Sequence, residues 1–92
     1  MAATPEQAIK VYNDLAALIF KIFKIHVIGN TPLLGNKGLF ADANGLDIFL
    51  ATRVRSAFKS AKAPNGVNIQ ASDLGASPIV ATLAATIADK LY

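Results

Sequence analysis

The chain contains no cysteine and no tryptophan, and it has a single histidine among its 92 residues. Without cysteine, neither a disulfide framework nor a thiolate metal site can stabilise a chain of this size. His26 alone cannot supply the ligands of a zinc site. We therefore expect no metal and no cofactor. A dense apolar core, association with other copies, or both must stabilise the protein.

Charge is also scarce. Charged residues make up 16% of the chain and hydrophobic residues 53%, whereas an average domain is about 25% charged. Folding at this length buries only about 60–65% of the surface that the unfolded chain exposes. Large apolar patches that stay exposed normally mark contact sites. The composition predicts one helical domain, residues 1–92, that covers part of its apolar surface with a partner.

Neither a signal peptide nor a spanning helix is expected. Glu6 precedes the first apolar stretch, and the positive region that opens a signal peptide is missing. The longest stretch without an acid, lysine or arginine runs from Leu74 to Ala88. It contains a glycine and a proline, and it is shorter than the roughly 20 residues that cross a bilayer. The localisation stays unknown.

The first helix has a clear start. Thr4, Pro5 and Gln7 form the pattern of a capping box with proline at the first helical position. The pattern predicts a helix from there to about residue 26. Its polar residues lie along one stripe, and the apolar arc is much wider than the ~100° stripe of an ordinary surface helix. We expect this helix to be covered on two sides or to contact an apolar medium.

Two further helices complete an all-α prediction. The second covers about 45–62, with Asp42 and Asn44 as candidate caps, and ends at Pro64-Asn65-Gly66. The third covers 78–91 after a Ser77-Pro78 cap. Residues 67–76 are interpreted as an extended connector, with a strand as the open alternative. The predicted fold is a small three-helix domain with a glycine- and leucine-rich connector between helices one and two.

That connector, VIGNTPLLGNKGLFADANG at 27–45, holds four of the six glycines. Its spacing does not fit a phosphate-binding Walker loop, and no hydroxyl residue follows Lys37. The sequence GNKG at 35–38 has the GXXG form of K-homology domains, but that fold also needs strands. We interpret the glycines as tight turns and the leucines as packing residues. Thr31-Pro32 further predicts a short helical turn at 32–35.

Four basic residues belong to the predicted second helix and are candidates for anion or partner contact: Arg53, Arg55, Lys59 and Lys62. The last three share its polar face by spacing. Arg53 borders the apolar face, so its charge must reach solvent, pair with Asp47, Asp73 or Asp89, or pair with another chain. Nucleic-acid binders commonly carry denser basic patches with interleaved aromatics, so a nucleic-acid partner is not expected.

No catalytic motif surrounds His26 or the serines, so we predict no enzyme activity. The predicted function is a non-catalytic structural or interaction subunit that self-associates as a homo-oligomer or a larger assembly. The composition is typical of small helical subunits of virus particles and filaments. The alternatives are a peripheral membrane protein that uses amphipathic helix one, and a weak nucleic-acid-binding protein. The predicted interface residues are Leu18, Phe20, Ile22, Phe23, Ile25, Leu33, Leu34, Leu39 and Phe40.

Overall fold

Helix α1 spans Pro5–Phe23 and begins at the predicted capping box. In the computed structural model, which describes residues 3–92, Thr4 N donates to Gln7 Oε1 at 2.8 Å and Gln7 N donates to Thr4 Oγ1 at 3.2 Å. These bonds satisfy two N–H groups that a helix start leaves without partners. The predicted end near residue 26 is wrong. Lys24 takes a left-handed conformation, with φ 60°, and its N–H closes the helix on Phe20 O.

Helix α2 is one helix in three parts: α-helical Ala43–Phe49, π-helical Leu50–Val54 and α-helical Arg55–Ala57. Asp42 caps its start, as predicted, by accepting from Gly45 N at 3.0 Å. The predicted end at residue 62 is wrong, because Phe58 is extended. Phe58 O there accepts from Val67 N at 3.0 Å, which pairs the chain after α2 with residues further along.

The π-helical part follows from the spacing of the buried residues. Leu46, Leu50, Val54 and Phe58 are buried and recur every four residues. Around a helix of 3.6 residues per turn, each such step drifts by about 40°. A π-turn closes from residue i to i+5 and therefore holds more residues per turn. This wider turn reduces the drift between Leu46, Leu50 and Val54, and Phe58 follows in extended backbone after the helix.

Helix α3 spans Val80–Leu91, and its N-terminus is capped by backbone rather than by a side chain. Val80 N donates to Thr31 O and Ala81 N to Gly29 O, each at 3.0 Å. The predicted Ser77 cap and start at 78 are therefore wrong. The helical turn predicted at 32–35 is also wrong, because Pro32 forms an isolated antiparallel bridge with Ile79.

Side chains from the segment after α2 cap the other end of α3. Ser60 Oγ donates to Leu91 O at 2.5 Å, and Lys62 Nζ donates to Asp89 O at 3.0 Å. Both carbonyls belong to the last turn, whose carbonyl groups otherwise lack donors.

The connector predicted at 67–76 includes a 3-10 turn at Ala71–Leu74. The N–H of Ala71 donates to Asp47 Oδ1 at 2.7 Å.

The all-α prediction is confirmed: residues 3–92 contain three helices and no β-strand. α1 and α3 run antiparallel, since Thr4 and Gln7 lie beside Leu91 while the segment after α1 bonds the start of α3. The radius of gyration is 12.1 Å, close to the ~12 Å expected of a globular chain of this length. One core joins the three helices and the connector. Its buried hydrophobic residues are Val11, Leu15, Ile19, Leu33, Leu46, Phe49, Leu50, Val54, Phe58, Val67, Ile69, Ala71, Leu74, Val80, Leu83, Ala84, Ile87, Ala88 and Leu91.

Two glycines are required by close backbone approach. A Cβ on Gly38 would lie 2.6 Å from the backbone of Leu34, and a Cβ on Gly66 would lie 2.0 Å from Arg55 O. Gly66 also has φ +96°, a backbone conformation that residues other than glycine rarely adopt. The glycines at these two positions let segments of the chain pack tightly.

Gly66→Ala is expected to lower the free energy of unfolding by about 2–4 kcal/mol, because backbone strain adds to the clash with Arg55 O. The control is Gly29→Ala, whose Cβ would meet Ala81 Cβ at an ordinary 3.5 Å and should change stability by less than ~1 kcal/mol. Thermal unfolding followed by circular dichroism measures both. Equal melting temperatures for the two variants would contradict this account of Gly66.

Candidate interaction surface

The residues that could support catalysis are dispersed or already bonded. In residues 3–92, no group of three His, Cys, Asp or Glu side chains lies close enough to hold a metal ion. His26 lies beyond α1 and stacks on the Phe20 ring, with 4.3 Å between ring centroids. Ser60 is used as a donor to α3. Neither of these two contacts joins a nucleophile to a general base.

The four basic candidates do not form one face. Arg53 and Arg55 lie on α2, whereas Lys59 and Lys62 lie beyond its end. Arg55 Nε donates to Asn65 O at 3.3 Å, and Lys62 Nζ binds the end of α3. These two cations therefore have roles within the chain itself. The shared helix face predicted for Arg55, Lys59 and Lys62 is wrong, because α2 ends early.

Arg53 is exposed, and none of the three predicted carboxylates pairs with it. In the described part of the chain the one salt bridge joins Lys10 Nζ to Asp14 Oδ2 at 2.8 Å. The hydrogen bond and the charge of Asp14 raise the pKa of Lys10 above its ordinary value. Asp47 instead accepts the N–H of Ala71. Within one copy the Arg53 side chain therefore lies at the surface, and its pairing with another chain stays a prediction.

The apolar residues of the connector mostly belong to the core. Leu33 is fully buried, and Leu34, Leu39 and Phe40 pack against the core while partly buried. Phe40 contacts Phe23 of α1 and Phe49 of α2, with ring centroids 5.5 Å and 5.2 Å apart. The connector thus covers the C-terminal end of α1. Leu33 is not on the surface of this structure, so it is not a contact residue here.

The predicted interface residues of α1 are divided between core and surface. Leu18, Ile22 and Phe23 pack against the core while partly buried. Phe20 and Ile25 are 38% and 47% exposed. The sequence reasoning missed other large exposed hydrophobic side chains, which are Ile9, Ile28, Ile48 and Tyr92. Helical spacing offered a signal for Ile9, since eleven residues separate it from Phe20 and three turns place the two within about 20° of each other.

An open apolar groove lies between α1 and α3. Its volume is about 230 Å³, and it is lined by Ala8, Ile9, Tyr12, Ala81, Ala84 and Ala85. Three of these residues are alanines of α3, of which Ala81 and Ala85 are exposed, and Ile9 of α1 is 60% exposed. None of the lining residues is charged. We call this surface, with these six residues, the α1–α3 groove.

A larger depression of about 450 Å³ lies where α1 starts and α3 ends. Four of its polar lining residues already bind one another or the α3 carbonyls. Thr4 and Gln7 form the capping box, and Ser60 and Lys62 cap α3. These groups hold the helix ends, so the α1–α3 groove is the stronger candidate for an interaction surface.

No family model, curated protein or solved structure matches this chain. Any functional proposal must therefore come from the surface itself. None of the helices in residues 3–92 has the combination of length and apolar character needed to span a bilayer.

Leu33→Ala is expected to lower the free energy of unfolding by about 2–5 kcal/mol, because it removes a fully buried side chain from the core. Ile28→Ala is the control, since Ile28 is 65% exposed, and it should cost less than ~1 kcal/mol. Urea titration of both variants gives the comparison. A Leu33→Ala protein as stable as the parent would show that the connector is not part of the core.

Proposed function

We propose that the protein is a non-catalytic subunit that associates with other copies of itself through the α1–α3 groove. The observation that carries the proposal is a protruding apolar side chain beside a floor of small residues. Ile9 stands at the rim, and Ala81 and Ala85 are exposed next to it. Such a ridge and groove on one surface are complementary to the same surface on a second copy.

Two copies can bind each other through this arrangement in a two-fold symmetric dimer. In a two-fold contact the same patch occurs on both subunits, so Ile9 of each copy can enter the groove of the other. Alanines on the floor allow two helices to approach closely, because no long side chain separates their backbones. The two Ile9 side chains would then lose their exposure to water, at roughly 25 cal/mol per Å² of apolar area.

The charges around the groove favour this contact. None of the six lining residues is charged, so no ion loses its hydration when the groove is covered. Lys10, next to Ile9, is already paired with Asp14. A standard interface covers about 800 Å² per partner, which is roughly one seventh of the 5511 Å² surface of this chain. The groove and its flanking residues on both helices are the centre of such an area.

Ile9→Lys is expected to weaken self-association at least about tenfold, or ~1.4 kcal/mol, because the charge would have to enter an apolar groove. Ile48→Lys is the matched control. Ile48 is 58% exposed, against 60% for Ile9, and lies on α2 outside the groove. Light scattering over a range of protein concentrations measures the mass of each variant, and thermal melts check that both variants fold.

Salt gives a second, independent measure. Apolar contact should persist or strengthen as salt rises, whereas binding through phosphates weakens steeply. The parent protein should exceed its 9.6 kDa monomer mass at high concentration. A monomer mass at every concentration, or an equal loss of association in both lysine variants, would overturn the proposal.

A further inference from the structure

We propose a second surface with a different partner: the C-terminal end of α1 and the segment after it bind the face of an anionic lipid membrane. The surface consists of Phe20, Lys21, Lys24, Ile25 and Ile28, and we call it the basic tip. It lies apart from the centre of the α1–α3 groove. Phe20 is eleven residues beyond Ile9, or about 16 Å along the helix.

Apolar exposure is concentrated at the basic tip. Phe20, Ile25 and Ile28 are 38%, 47% and 65% exposed. They are three of the six large hydrophobic residues that residues 3–92 leave exposed, and they fall within nine consecutive positions. A few large apolar side chains on a short segment can enter the boundary between headgroups and acyl chains, about 5–10 Å deep.

The backbone after α1 places a lysine beside one of these side chains, Phe20. Lys24 adopts a left-handed conformation, φ 60°, where glycine or asparagine is the usual residue. Its ammonium lies 5.8 Å from the centre of the Phe20 ring, within the range of a cation–π contact. His26 stacks on the same ring. Lys24 therefore has a backbone conformation that is unfavourable for lysine, and its ammonium lies against the exposed ring of Phe20.

All charged residues in this part of the chain are positive. Between Asp14 and Asp42 there is no acidic residue, while Lys21, Lys24 and Lys37 are present. Asp42 itself is engaged in capping α2. Exposed apolar side chains flanked by cations match an anionic bilayer, which attracts lysines at its surface and accepts apolar groups below it. Long lysine stems also let the ammonium groups remain at headgroup level.

Co-sedimentation with vesicles tests the electrostatic half of the proposal. The parent should bind vesicles of phosphatidylserine with phosphatidylcholine more tightly than vesicles of phosphatidylcholine alone. A basic residue near such a surface contributes about 1 kcal/mol, or roughly fivefold. Lys21→Gln with Lys24→Gln should therefore weaken binding about 25-fold. The control pair, Arg53→Gln with Lys59→Gln, also lowers the net charge from +3 to +1 but leaves the basic tip intact.

A matched pair of isoleucine variants tests the contribution of the exposed apolar side chains. Ile28→Gln should weaken vesicle binding several-fold, whereas Ile48→Gln, at a site of similar exposure on α2, should not. Three results would overturn the proposal: no preference for anionic vesicles, equal losses in the two double variants, or equal losses in the two isoleucine variants. Loss of self-association without lipid in Ile28→Gln would also overturn it, by making the basic tip a contact between copies. Ile9→Lys separates the two surfaces, since it should impair association between copies in solution while the basic tip stays intact.

Discussion

The structure depends on covering one apolar stripe of α1, where three residues are fully buried while nine of the 19 helix residues stay exposed. α3 packs antiparallel along it and shares the core that buries Val11, Leu15 and Ile19. At its C-terminal end, Phe23 packs against two further aromatic rings, those of Phe40 and Phe49. The other segments of the chain hold α3, Phe40 and Phe49 in position against α1. What remains uncovered, chiefly Ile9 and Phe20, borders the two surfaces for which we propose partners.

The connector between α1 and α2 has two structural functions at once. Its backbone carbonyls at Gly29 and Thr31 bind the first N–H groups of α3, and Leu33 enters the core. This explains why the segment combines glycine with leucine: the chain must pass close to other backbone while still contributing apolar volume. A short chain without disulfides gains from such a segment, because it ties the helices together by hydrogen bonds and packing.

Local sequence signals predicted the helices and the caps of α1 and α2, because Thr4, Gln7 and Asp42 act on neighbours within three residues. The C-terminal end of α2 and the start of α3 were mispredicted, since long-range backbone bonds decide them. Val80 N, for example, is satisfied by Thr31 O, and no local pattern encodes that pairing. The total surface of 5511 Å² is close to the ~5,100 Å² expected of a monomer of this mass. In residues 3–92 the large hydrophobic side chains that stay exposed are Ile9, Phe20, Ile25, Ile28, Ile48 and Tyr92.

The central claim is that the α1–α3 groove is the place where copies meet. Nuclear magnetic resonance of the unmodified protein on dilution tests it most directly, because every backbone amide reports on its own surroundings. The account predicts that resonances of Ile9, Ala81 and Ala85 shift with concentration, while those of the outer face of α2 around Ile48 stay constant. Identical spectra at all concentrations, with the tumbling rate of a 9.6 kDa monomer, would contradict it.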